Sequence, residues 1–184
     1  MYIFSHKYLP FDAILFDSSK QAANIHNQFP ELWAGVNNLA TLSDMSIVYF
    51  LRSASIKSPG NARLFWLGDQ LVTYDGFDGL RTVLVGYISS GLSGISLQHS
   101  DIGGYTMINE SGFVYLRTKQ LLYRWMEVSA IADIIFRSHP GNLPSQSWQI
   151  YSDNSTLLCF SRMAQLHTIF STYKSGLIFL KKIL

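Results

Sequence analysis

The sequence predicts an α/β fold with a parallel sheet, on two observations. Short apolar, β-prone runs alternate with longer stretches of helical spacing, and the runs are continuously apolar, as in strands covered on both faces. Two of the runs also end abruptly near carboxylates: Leu64-Phe65-Trp66-Leu67-Gly68 runs into Asp69, and Ile95-Ser96-Leu97 leads toward Asp101. In such folds the carboxyl ends of the parallel strands open onto one face, where side chains converge on a common pocket. The chemistry belongs on that face.

The elements follow in order. The first ten residues, MYIFSHKYLP, have no clear period, and Pro10 closes them. Ala22 to about Leu42 is spaced for a helix with Ile25, Phe29, Leu32, Trp33 and Val36 on one side, and Pro30 implies a kink or two abutting segments. Met45–Ser53 reads as a buried strand ending on Arg52. A loop containing Ser58-Pro59-Gly60-Asn61 leads to the second strand, Arg63–Gly68. Phe77, Leu80, Val83, Leu84, Tyr87 and Ile88 then return to helical spacing, with Gly91 as a stop.

Gly94–Leu97 is the third strand. Val114 to about Ala132 is the best helix, with Leu121, Leu122, Trp125, Met126 and Ser129 on one face. The fourth strand, Asp133–Arg137, ends at Ser138-His139-Pro140-Gly141-Asn142, and Asn154 or Ser155 can cap a last long helix through Tyr173. Four βα units make half of an eight-stranded barrel, which needs about 250 residues. The expected architecture is therefore a partial (β/α)8 barrel, with its other half before Met1.

Composition narrows the function classes. The chain has 184 residues, 48% of them hydrophobic and only 14% charged, against roughly 25% in ordinary soluble domains. It can bury a core, and part of its surface is expected to be covered. The 14 Lys and Arg are scattered and the net charge is +2, which leaves no electrostatic case for nucleic acid. One cysteine, Cys159, excludes an intrachain disulfide framework. Val83–Leu97 is too polar and too short to span a bilayer, and Met1–Pro10 lacks a secretory apolar run. No membrane partner is expected, and the compartment defaults to cytoplasmic.

The strand ends deliver Arg52, Asp69, His99 with Asp101, and His139 to one rim, with Trp66, Tyr105 and Trp148 as flat apolar surfaces. An arginine, two carboxylates and two histidines make a polyol-binding or acid/base site. Each has a plainer alternative. Arg52 can simply pair with Asp69, Asp101 can close an Asx turn, and either histidine can be a satisfied core residue. No spacing supports a metal site, and no cofactor motif is present.

The chain resembles glycoside hydrolase family 31, the α-glucosidase and α-xylosidase group, and within it the sulfoquinovosidase-like branch. The resemblance rests on Phe50-Leu51-Arg52-Ser53, on Phe65-Trp66-Leu67-Gly68-Asp69-Gln70, on His99-Ser100-Asp101-Ile102-Gly103-Gly104-Tyr105 and on Arg137-Ser138-His139-Pro140-Gly141-Asn142. His26-Asn27-Gln28-Phe29-Pro30-Glu31-Leu32-Trp33 precedes them. The order suits strands five to eight of that family's barrel, over residues 1–177, with 178–184 as an apolar tail outside it.

The resemblance implies hydrolysis of an α-glycoside, without a cofactor. Asp69 would be the general acid/base that protonates the leaving oxygen. Arg52 and His139 would bind sugar hydroxyls, Asp101 and Trp66 would shape the pocket, and Tyr105 matches a tyrosine that holds a sulfonate. The family's nucleophile lies in a D-F-G-E-x-L-P-like stretch. Here Tyr8-Leu9-Pro10 matches its end, but Phe4-Ser5-His6-Lys7 precedes it and no carboxylate occurs before Asp12. Asp12 and Asp17 are poor substitutes. The expectation is a truncated or inactive chain, with apolar strand edges at Ser46–Leu51 and Asp133–Arg137 open to self-association.

Overall fold

Leu64-Phe65-Trp66 and Leu97-Gln98-His99 are the two runs that pair. In the computed structural model they form β1 (Leu64–Trp66) and β2 (Leu97–His99), parallel, with Leu64 opposite Leu97 and Trp66 opposite His99. The structure describes residues 10–14, 21–42, 44 and 46–181, so Phe4–Lys7, Tyr8, Leu9, Asp17 and Met45 lie outside the described residues. The chain divides into two units, Met1–Arg63 and Leu64–Leu184.

The second unit carries the parallel strands. The segment expected as a fourth strand, Asp133–Arg137, is not regular. It runs beside β2 through Ile134 N–H to the Gln98 carbonyl (2.9 Å) and Ile102 N–H to the Arg137 carbonyl (3.1 Å), and Ile102 and Ser138 form an isolated parallel bridge. β2 itself begins three residues later than the Gly94 start expected from the sequence, because Gly94 (φ +91°) is used in the turn that ends the preceding helix. No closed sheet occurs among the described residues.

Helix α4 (Leu80–Leu92) follows β1, as the spacing predicts, but starts after Phe77. The Asp75 carboxylate accepts the Phe77 N–H (2.5 Å), making a turn of those residues. Gly79 packs so closely on Thr73 that a Cβ would lie 2.7 Å from its carbonyl oxygen. After β2 the chain makes a hairpin that periodicity missed: β3 (Ile108–Glu110) and β4 (Phe113–Tyr115), antiparallel, turning on Gly112 at φ +91°. Val114 therefore lies in a strand. The expected helix begins only at Lys119, where the Thr118 hydroxyl accepts the Leu121 N–H (3.2 Å) as N-cap.

That helix, α5 (Lys119–Ala132), buries Leu121, Leu122, Trp125, Met126 and Ser129, the face its spacing selects. They join Val72, Leu80, Val83, Ile102 and Met107 in one core. The last helix, α6 (Asn154–Lys181), packs on α5 and lays Phe160 and Met163 against that core. Asp153 caps it by accepting the Thr156 N–H (2.7 Å), one residue ahead of the expected cap.

The described helices of the first unit are α1 (Ala22–Ile25), α2 (Phe29–Thr41) and α3 (Ser58–Asn61). The predicted break at Pro30 is realised, with the proline in the first turn of α2, where its missing N–H is harmless. Yet the apolar side that the spacing selects is largely exposed. Phe29, Leu32, Trp33 and Val36 are each more than half exposed, and Ala34 is the buried residue of α2. Spacing selects a face, but burial requires a partner element. Residues 47–50 are not a strand, and only Leu51 forms a bridge, so the flat apolar edges expected at Ser46–Leu51 and Asp133–Arg137 are absent as regular strands.

One buried carboxyl ties the core to the β2 exit. The Trp125 indole N–H donates to the Ser100 hydroxyl (3.0 Å), and Ser100 lies 3.3 Å from Asp133 Oδ2 at the end of α5. Burial pushes the Asp133 carboxyl well above the ordinary carboxylate range, against a smaller opposing pull from the Ser100 N–H and Lys174. A carboxyl raised in the fold binds its proton more tightly there than in the unfolded chain. Its contribution to stability is full below pH ~3.8 and is lost as pH rises from there through the folded pKa, at no more than about 1.4 kcal/mol per pH unit. Asp133→Asn should therefore flatten the stability–pH curve above pH 4 relative to the parent. Urea midpoints at several pH values would measure this, and parallel curves would refute it.

Candidate active site

Three loops leave the carboxyl ends of β1, β2 and the 134–138 segment, and hydrogen bonds lock each to the next. The first is residues 67–72. Gly68 takes φ +105° there, and the half-buried Asp69 follows it. The Thr106 hydroxyl donates to the Asp69 carbonyl (2.7 Å), the N–H groups of Tyr105 and Thr106 both reach the Gln70 carbonyl, and Val72 N–H returns to Thr106. The Asp69 loop is thereby stitched along the Asp101–Met107 loop. Asn142 makes the second seam: its side chain accepts the Met107 N–H (2.8 Å) and donates to the Met107 carbonyl (2.9 Å).

Asp101, Tyr105, Arg137 and His139 come together on these loops. Asp101 is almost fully buried and pairs with Arg137 at 3.3 Å. Burial raises its carboxyl pKa; the charges of Arg137, His139 and His99 pull it down, and that of Asp69 pushes it up. The Tyr105 and His139 rings meet edge-on, centroids 4.8 Å apart. Gly141 N–H donates to His139 Nδ1 (3.0 Å), which directs the imidazole proton of the neutral ring to Nε2. His99 is fully buried, and burial lowers its pKa.

The other candidates divide. Trp66 ends β1 half-buried, opposite His99. Arg52 is exposed, in a bend of the first unit. Trp148 is a structural residue: it packs on the core, donates to Thr156 (3.0 Å) and lies 5.4 Å under the Lys119 ammonium. Asp12 is exposed in a turn. Among the described residues, no cluster of His, Cys, Asp and Glu could hold a metal ion, and no helix is long and apolar enough to cross a membrane. A groove of about 360 Å³ between Leu97, Ile134, Phe170 and Lys174 lies at the start of β2, away from the rim.

Sequence reasoning missed Arg117. Its side chain is buried and donates to the carbonyls of Ile102, Gly104, His139, Pro140 and Trp148 and to Gln149 Oε1. Burial pushes its pKa down to about 10, so it stays charged at neutral pH. Nothing local marks it, because its partners are 13 to 32 positions away. The glycine pair of the HSDIGGY stretch was a usable signal. Gly103 and Gly104 take φ +92° and +77°, and a Cβ on Gly103 would stand 2.6 Å from Arg117 Cδ.

Comparison with known proteins places the chain in a family. The sequence profile of the Glycosyl hydrolases family 31 TIM-barrel domain matches residues 5–166. A sulfoquinovosidase of Agrobacterium fabrum (strain C58) is 37% identical over 174 residues, 93% of this chain and 25% of that protein. One from Escherichia coli (strain K12) is 38% identical over 171 residues, 91% of this chain and 24% of that protein. The solved structure of a family 31 sulfoquinovosidase from E. rectale, in complex with the aza-sugar inhibitor IFGSQ, superposes with a TM-score of 0.84 at 36% identity. It covers 91% of this chain and 25% of that one. The chain thus spans about a quarter of the length of the relatives it matches. With its rim motifs, its parallel strands and these matches in accord, the chain belongs to glycoside hydrolase family 31, as a sulfoquinovosidase-like member within the TIM-barrel domain.

Proposed function

We propose that the chain is part of the barrel of a retaining α-glycoside hydrolase. Residues 1–177 supply strands five to eight and 178–184 lie outside the barrel. Asp69 is the general acid/base: protonated, it delivers its proton to the glycosidic oxygen as the bond to the anomeric carbon breaks, and ionised, it activates the water that releases the sugar. Trp66, Asp101, Tyr105 and His139 bind the sugar, and Arg52, in the first unit, keeps the hydroxyl-binding role that the resemblance implies. The observation that carries this reading is the double seam, Thr106 to Asp69 and Asn142 to Met107, which binds the acid loop to those bearing Asp101, Tyr105 and His139. The name of its relatives points to a sulfoquinovoside as substrate, and the resemblance would put Tyr105 at the sulfonate of an α-linked one.

A second reading is favoured by one feature. A retaining enzyme needs a second carboxylate ~5–5.5 Å from the first, and the stretch before Tyr8-Leu9-Pro10 contains none. The same rim would then bind the sugar without turning it over. Aryl α-glycosides with and without a 6-sulfonate distinguish the two. In the hydrolase, Asp69→Asn lowers turnover roughly 10²–10⁴-fold, most for poor leaving groups, and leaves binding intact. Calorimetric binding with no turnover above the Asp69→Asn level supports the second reading, and neither binding nor turnover sinks both.

A further inference from the structure

We propose that Arg117 is the positioning residue of the sugar-binding rim, holding two of its loops in register through their backbone carbonyls. For its effect on sugar binding this inference rests on the glycosidase reading. For its effect on the loops it stands on geometry alone.

The guanidinium lies where the loop after β2 meets the loop after residues 134–138. From one nitrogen, Nη1, it donates to Gly104 (3.1 Å) and to His139 (2.8 Å), and so bridges the two loops directly. Nη2 donates to Pro140 (3.0 Å) and Gln149 Oε1 (2.8 Å), while Gln149 donates back to Pro140 (3.1 Å) and to Pro144 (3.0 Å). Nε reaches Trp148 (2.9 Å), and the Arg117 backbone is itself anchored, its N–H to Ser147 Oγ (2.9 Å) and its carbonyl to Trp148 N–H (3.0 Å). A planar fork with five donors fits this set, whereas an ammonium with three donors on a flexible stem does not.

The bridged atoms are the backbone of His139 and of the neighbours of Tyr105 and His139, two residues of the proposed sugar rim. Gly104 is the neighbour of Tyr105, and His139 carries the imidazole against the Tyr105 ring. Pro140 precedes Gly141, whose N–H sets the His139 tautomer. Moving the guanidinium thus shifts Tyr105, His139 and the imidazole proton together, although Arg117 touches no sugar in this reading. Gly103 completes the device, because only a residue without a side chain leaves room for the Arg117 stem.

The test compares Arg117→Lys with Val83→Ala, a core change outside the rim, using chains labelled with ¹⁵N at temperatures where circular dichroism shows both folded. Arg117→Lys should move the His139 Nδ1 resonance toward the tautomer average and shift the Gly141 amide, and Val83→Ala should move neither. Affinity for an α-sulfoquinovoside should fall tenfold or more in Arg117→Lys and stay within twofold in Val83→Ala. Should Arg117→Lys fail to fold, Gln149→Leu removes one donor to Pro140 and should give smaller shifts of the same two signals. Unchanged His139 and Gly141 signals in the folded variant overturn the proposal. Shifted signals in a parent chain that binds no sugar support the positioning role and instead refute the glycosidase reading.

Discussion

Replacing Trp125 with alanine is expected to lower the unfolding free energy by about 3–5 kcal/mol, the range for deleting a buried tryptophan. The side chain is fully buried among Ile102, Leu121, Leu122 and Met126, so its removal opens a cavity that helix α5 and the loop after β2 can fill only by moving. A hydrogen bond is lost as well. The indole N–H is the donor to Ser100, and Ser100 sits beside the buried Asp133. Trp125→Phe keeps most of the volume and loses the donor with the small ring that carries it, at about 1–3 kcal/mol. Domains are stable by only ~5–15 kcal/mol, so the alanine variant should show a large drop in urea midpoint. Trp33 is 53% exposed and serves as the control. A midpoint for Trp125→Ala no lower than that of Trp33→Ala would show that the core is not organised around this residue.

Gly103→Ala should be the second severe change, and it acts at the rim. At φ +92° a Cβ costs roughly 1–2 kcal/mol of backbone energy. The new methyl would also lie 2.6 Å from Arg117 Cδ and 2.8 Å from Leu122 Cδ1, and overpacking of that kind adds about 1–3 kcal/mol. Gly94→Ala isolates the first contribution, because Gly94 has φ +91° and open space around it. The difference in melting temperature between the two variants reports the clash with Arg117 and Leu122. Equal losses would mean that the space beside Gly103 is not needed for the arginine.

Much of the candidate site could be read from the chain because its residues stand in short, contiguous motifs. Asp69 stands two residues beyond Leu67 in the loop that leaves β1, and Asp101 and Tyr105 frame the glycine pair, so residue type and local position sufficed to single them out. The helices after β1 and β2 were legible for the same reason: α4 and the buried face of α5 follow spacing within a single element. The hairpin at Ile108–Tyr115 was not, although Ser111-Gly112 is a turn signal, because three-residue strands give periodicity too little length to register. The apolar face of α2 shows the converse failure: its spacing is correct, but burial depends on what lies opposite.

The amino-acid sequence by itself determined the family and the order of the strand-end motifs, and it singled out Asp69 as the candidate acid, since each is carried by neighbouring residues. Only the tertiary structure decided how these motifs are held together. Arg117, Asn142 and Asp133 act on partners at least 13 positions away, as in the bonds of Arg117 to Gly104, of Asn142 to Met107 and of Ser100 to Asp133. A hydrogen bond between loops leaves no periodicity in the sequence, and a buried charge is recognisable only once the atoms around it are in place.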